Sequence, residues 1–285
     1  MAEFEVIAEG LNFPEGPVVM ADGSVIVVEI HAGQITRCIG GGRKEVVARP
    51  GGGPNGAAIG PDGALYICNS GGMGHASQSV MEPGRIERVD LATGKVERLY
   101  DACDGQPLSA PNDLMFDADG TMWFTDLGKI SQRGKEFGGL YAARADGSAI
   151  TRIKGGTLSY NGVGVAPDGA AVYVADTYSA RIYAYERRIA AQEPRLVATV
   201  PGMVMLDSLA MTAAGNVCVA VVTGAAVATV TPQGAISQRP CDDRLVTNIA
   251  FGGADMMDAW LTFSGHGTLV RTRWHEPGMR LAYNA

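Results

Sequence analysis

Along this chain a polar residue repeatedly opens a short apolar run, which reaches a turn and is followed by a second apolar run. The six copies are EGPVVMADGSVIVVE from Glu15, NGAAIGPDGALYICN from Asn55, NDLMFDADGTMWFTD from Asn112, NGVGVAPDGAAVYVAD from Asn161, DSLAMTAAGNVCVAV from Asp207 and NIAFGGADMMDAWLTF from Asn248. Their starts are 40, 57, 49, 46 and 41 residues apart. A period of that size built on strand–turn–strand units predicts the blades of a propeller. The fold expected is therefore all-β: a six-bladed β-propeller with four antiparallel strands per blade. Because every copy opens on Glu, Asn or Asp, radial packing would bring six oxygen-bearing side chains around one axis.

The tripeptides ADG (21–23), PDG (61–63), ADG (118–120), PDG (167–169) and AAG (213–215) supply the inner hairpin turns, since Gly tolerates positive φ and Asp bonds back to the turn backbone. Outer strands are expected in GRIERVDLATGKVERLY (84–100), ARIYAYE (180–186) and LVATVPG (196–202). EFEVIAEG (3–10) has no blade before it, while TLVRTRW (268–274) and MRLAYN (279–284) need a partner at the other end. The N-terminal strand is thus expected to join the last blade and remove an exposed edge. Two Gly/Pro/Ser-rich insertions, 71–84 and 101–110, account for the widest spacing and are expected to line a mouth.

Composition narrows this picture. Of 285 residues, 46% are hydrophobic, 19% are charged and 39 are glycine, as in a folded, turn-rich β protein. The six copies fill the length, so 1–285 reads as a single propeller domain. A net charge of −7 argues against a nucleic-acid surface, which needs clustered Lys and Arg. No apolar run approaches a membrane span, so neither nucleic acid nor membrane is expected as a partner. The start MAEFEV lacks the basic and apolar regions of a secretory leader. Five cysteines without a CxxC pattern read as reduced thiols, and a cytoplasmic location is expected.

Glu15 and Asp207 offer carboxylates; Asn112 and Asn161 offer neutral carbonyl oxygens. Four such groups converging from four blades suit a hard divalent cation, with two negative charges balancing it. Thiolates and paired histidines are missing from the set, so softer metals suit it less. The competing explanation is that these residues only cap strands and satisfy buried backbone groups.

The segments NFPEGPV (12–18), APNDLMFDADGTMWFTD (110–126), YNGVGVAPDGAAVYVADT (160–177) and LDSLAM (206–211) resemble the gluconolactonase/regucalcin (senescence-marker protein) family of six-bladed propellers. More distantly they resemble diisopropylfluorophosphatase and the paraoxonases. The resemblance implies that Glu15, Asn161 and Asp207 bind one divalent metal, with Asn112 beside it contacting metal or substrate. Calcium is the first expectation, with magnesium, manganese, zinc or iron(II) as alternatives. Asn55 would add a polar group at the channel mouth. Ser208 stands where the family usually has Gly or Asn, which puts the substrate more in question than the metal. A metal-dependent lactonase opening a small-molecule lactone, a sugar-acid lactone or a related cyclic ester, is implied, the metal polarising the lactone carbonyl and Asp207 serving as general base, or as nucleophile toward harder electrophiles.

His266 in SGHG and His75 in the Gly-rich insertion are further candidates for the substrate mouth; either can also be read as a loop histidine. A serine-hydrolase elbow, GxSxG, is missing from the sequence. FDADG (116–120) imitates the start of an EF-hand loop without its closing Glu and reads as a hairpin turn. Asn69, Asp126 and Asp176 end the second inner strands and are expected to tie down neighbouring loops. Tyr160, Met203, Met205 and Met257 are expected as core or pocket wall. The rivals to a lactonase are a phosphotriesterase of the fluorophosphatase type, a non-catalytic calcium- or ligand-binding propeller, and a lyase or isomerase using the same electrophilic centre.

Overall fold

The computed structural model describes residues 4–72, 82–131, 134–187 and 193–284. Each predicted repeat pairs its two inner strands across the expected turn and adds two outer strands, giving six four-stranded antiparallel sheets. The innermost strands are Pro14–Val19, Pro54–Ile59, Pro111–Phe116, Tyr160–Val165, Met205–Met211 and Val246–Gly252. Each of them packs beside the next, and the sixth packs beside the first, so the sheets form a closed ring. The fold is the six-bladed β-propeller expected. Two small hairpins, Ala102–Cys103 with Gln106–Pro107 and Ile130–Ser131 with Gly134–Lys135, decorate blade three.

Ring closure follows the predicted route. Strand Glu5–Ala8 pairs antiparallel with Thr268–Arg273 and becomes the fourth strand of blade six. A side-chain relay seals the same seam: Ser264 Oγ donates to Pro14 O at 2.6 Å and lies 2.6 Å from Thr247 Oγ1. The segment MRLAYN (279–284), expected to need a partner at that end, joins no sheet; a bridge of Thr212 with Gly278 stands at its entrance. It passes beneath the ring, where Met279 and Leu281 line the far end of the central cavity and Tyr283 packs on Phe116. Its apolar residues are drawn under the channel because the last sheet already has its four strands.

The core is divided among the six seams between neighbouring blades. Val18, Ile26 and Val28 face blade two, whereas Val19, Val25 and Val27 face blade six. Side chains alternate across a strand, and here both faces meet an adjacent blade. That is why the inner strands read as continuous apolar runs instead of a polar–apolar alternation.

Each innermost strand also breaks register near its start. Pairing jumps from Glu15 to Val18, from Pro54 to Ala57, from Pro111 to Leu114, from Tyr160 to Val163 and from Leu206 to Leu209. Such bulges re-aim side chains, and they coincide with the residues that open the repeats. Behind them the inner strands approach too closely for a side chain in three places. A Cβ on Gly16 would lie 2.5 Å from Asn55 O, one on Gly56 2.5 Å from the Asp113 Cα, and one on Gly162 2.6 Å from Leu209 N. The glycines of EG and NG are therefore packing requirements of the ring. Gly162→Ala is expected to cost about 1–3 kcal/mol through overpacking, read from the midpoint of denaturant unfolding. An unchanged midpoint would mean that the inner strands can spread without loss.

Candidate functional site

The bulges place Glu15, Asn55, Asn112, Asn161 and Asp207 at equivalent positions of blades one to five. Blade six departs from the expectation. Its register break lies between Val246 and Asn248, so Thr247 occupies the bulge and Asn248 stands one step further down the channel. The inner strand of this blade carries one more residue between bulge and turn than the others, and alignment from the turn therefore lands on Asn248. The ring is five Asx or Glu residues and one threonine.

A second tier follows directly below it: Gly16, Gly56, Asp113, Gly162, Ser208 and Asn248. Three of these carry polar side chains, and sequence reasoning passed over Asp113. The signal was present, because a carboxylate stands where the EG and NG copies have glycine. Asp113 is buried, its Oδ1 accepts from Leu114 N at 2.9 Å, and burial, then the Glu15 charge, push its pKa up to about 7. The Ser208 hydroxyl lies beside Asp113 and favours its anion, yet makes no hydrogen bond of normal geometry.

Glu15 is buried, with Oε2 accepting from Gly16 N at 2.8 Å and from Asn248 Nδ2 at 2.7 Å. Asn248 is in turn fixed by Ile249 N, which donates to its Oδ1 at 2.8 Å. Desolvation still raises the Glu15 pKa, opposed by Asn248, Gly16 and Thr247. Asp207 is pushed well above the ordinary carboxylate range by burial of its carboxyl and then by Glu15, with Asp113 adding to the effect and the Asn161 side chain opposing it. Within the ring, however, only Asp207 keeps partial solvent access. Three carboxyls thus share one low-dielectric space, which favours proton uptake unless a cation balances them.

Two ring carboxamides are left incomplete. Asn161 Nδ2 donates to Thr177 Oγ1 at 3.2 Å, and its backbone carbonyl accepts from Thr125 Oγ1. Its Oδ1 is nevertheless buried without a partner, as is Asn112 Oδ1. A buried polar atom without a partner costs about 1–3 kcal/mol, so two orphan carbonyl oxygens beside two repelling carboxylates form a donor set that fits a hard divalent cation. Among the described residues no three His, Cys, Asp or Glu side chains cluster as a metal site. Any cation held here depends on the carboxamides as well as on Glu15 and Asp207.

The remaining candidates divide. Asn55 is buried in the ring. Ser208 is fully buried in the second tier. His266 sits on a top loop with its ring exposed; its backbone N–H donates to Asp243 Oδ2 at 2.8 Å and Nδ1 lies 3.8 Å from the same oxygen. Nothing draws His266 into the ring. His75 lies outside the described residues. Asn69, Asp126 and Asp176 have the loop-tying role expected: Asn69 Oδ1 accepts from Gly53 N and Gly71 N, Asp126 from Ser109 N, Ala110 N and Gly128 N, and Asp176 from Ser159 Oγ. Asp117 of FDADG accepts from Asp119 N and Thr121 N, a hairpin turn. Tyr160 is core, but Met203 is fully exposed and Met205 is 40% exposed.

A closed propeller with a mixed carboxylate and carboxamide ring at one mouth defines the class. Residues 13–265 match the family described as SMP-30/Gluconolactonase/LRE-like region, and the chain belongs to it. It is 26% identical over 204 residues to a gluconolactonase of Zymomonas mobilis, covering 64% of this chain and 54% of that one. It is 28% identical over 244 residues to lactonohydrolase oryL of Aspergillus oryzae, covering 75% and 55%. The chain spans about half the length of both relatives. Among solved structures, the calcium-binding protein regucalcin of Agrobacterium tumefaciens superposes with a TM-score of 0.77 at 20% identity, covering 98% of each chain. Among the described residues no helix is long and apolar enough to cross a membrane.

Proposed function

We propose that this protein is a metal-dependent hydrolase that opens a small lactone at the ring. The observation that carries the reading is the pair of orphan carbonyl oxygens, Asn112 Oδ1 and Asn161 Oδ1, beside the Glu15 and Asp207 carboxylates. The gluconolactonase and lactonohydrolase relatives support the ester class, and the calcium-binding neighbour supports calcium as the first cation to try.

Glu15, Asn112, Asn161 and Asp207 would hold the cation. When bound, it supplies Lewis-acid polarisation of an ester carbonyl and stabilises the developing negative charge. The protein's own groups perform the rest. Glu15 is held rigidly by Gly16 and Asn248, so it fixes the site without reorganisation. Asp207 serves as general base and takes the proton from the attacking water. The carbon–oxygen bond to that water forms, the ring ester bond breaks, and the proton passes to the departing alkoxide. Asn112 and Asn55, on neighbouring blades, orient the polar part of the substrate.

Lactone opening followed by pH-stat tests this. Metal-stripped protein is given gluconolactone and a panel of aliphatic lactones with calcium, magnesium, manganese, zinc or iron(II) in turn. Turnover restored by one of these cations is the expected result. Rebinding of metal without opening any lactone would leave the site and remove the substrate class.

A further inference from the structure

Among the described residues the mouth above the ring is lopsided. Ten large apolar side chains are exposed among the described residues, and four of them, Val6, Ile39, Val46 and Leu196, lie on edge or outer strands. The other six all stand on the face where the inner strands begin, and all come from blades three to five: Ile130, Phe137, Leu158, Tyr178, Met203 and Met205. Met203 is fully exposed, and Ile130 and Phe137 are 65% and 59% exposed. Across the mouth, on the blade-six side, stands the exposed imidazole of His266, with the buried carboxylate of Asp243 beneath its loop.

Four of these residues are tied to the ring. Leu158 precedes Asn161 by three residues and Met205 precedes Asp207 by two. Tyr178 follows Thr177, whose hydroxyl accepts from Asn161 Nδ2 at 3.2 Å and whose carbonyl accepts from Leu206 N at 3.3 Å. Lys135 ties the hairpin that bears Ile130 to the same loop, its Nζ 4.6 Å over the Tyr178 ring. Six apolar side chains left in water on one arc of a functional mouth mark a binding surface more than chance exposure.

We infer that the arc over blades three to five receives an alkyl or aryl substituent of the lactone, with the lactone head lying over the ring oxygens, so the preferred substrate is an apolar-substituted lactone and not a bare sugar lactone. The inference rests on the hydrolase reading above. Asp207 lies on the arc side of the ring, two residues after Met205. The substituent therefore extends away from His266, and the ester is presented to Asp207.

The test uses the full chain, metal-loaded, on a homologous series from δ-valerolactone to δ-decanolactone. A rise in kcat/KM of about two- to threefold per added methylene is expected, below the roughly fourfold of full burial because the surface is open. In Leu158→Ser, Tyr178→Ser and Met203→Ser the ratio of kcat/KM for the longest to the shortest lactone is expected to fall at least tenfold in combination. All three side chains are exposed, so the fold has little to lose. Opening of δ-valerolactone with no gain along the series overturns the inference and leaves the hydrolase intact. Failure to open any lactone with any cation overturns both. An unchanged ratio in the variants, with sedimentation shifting from dimer to monomer, would make the arc an interface between copies and also overturn it.

Discussion

Asp207→Asn is expected to lower lactone turnover by about 10²–10⁴-fold, the usual contribution of a positioned general base, while the fold survives. The carboxamide keeps an oxygen at the same place but cannot accept the proton. A second readout separates loss of chemistry from loss of structure. Burial and the neighbouring carboxyls disfavour the Asp207 anion in the metal-free protein, so removing the charge relieves repulsion. The metal-free variant is expected to melt above the metal-free parent at neutral to alkaline pH, and the order reverses once cation is added. Full activity in the variant would take Asp207 out of the mechanism, and a lower melting point in both states would make its role structural.

The blade count, the inner turns and the closure by the N-terminal strand were legible because each rests on local chemistry. Gly in a tight turn, short β-rich runs and an unpartnered first strand carry their meaning wherever they occur. The destination of MRLAYN was not legible. Its apolar residues say that the segment is buried, and whether a sheet or the underside of the channel covers it depends on how many strands the last blade already holds. The exposure of Met203 and Met205 has the same origin. Apolar residues beside a polar repeat start read as wall, and only the assembled ring shows that the wall continues out onto the mouth.

The ring of polar residues was legible where each repeat start marks a bulge and illegible where the repeat slips. One additional residue in the inner strand of blade six moves Asn248 below the ring, from where it serves Glu15 instead of standing beside it. Asp113 escaped notice because Asn112 is the recognisable member of its pair. The second tier acquires meaning only when six strands are superposed and three of their positions prove to be glycine. Asp113 then stands out as a third carboxyl under two others. That changes the electrostatics of the ring from a balanced pair of anions to an excess, which would set how the protein behaves with and without the proposed cation.

Removal of the cation is therefore expected to make stability fall with rising pH. Burial pushes Asp113 up to about 7 from an ordinary 3.8, and it raises Glu15 and Asp207 as well. The metal-free fold thus favours their protonated forms. That stabilisation is complete below the ordinary carboxylate values and is lost as pH climbs through the raised ones. A bound cation reverses the preference and favours the anions, so the gap in melting temperature between loaded and stripped protein widens from about pH 5 to about pH 8. Glu15→Gln should narrow this gap and weaken cation affinity on the order of 10²-fold, since charge count tunes such sites. Excess cation is expected to restore part of the lactone turnover. No recovery at any cation concentration would mean that Glu15 acts on the substrate as well as on the metal, and a gap indifferent to pH would mean that the three carboxyls do not answer to the cation together.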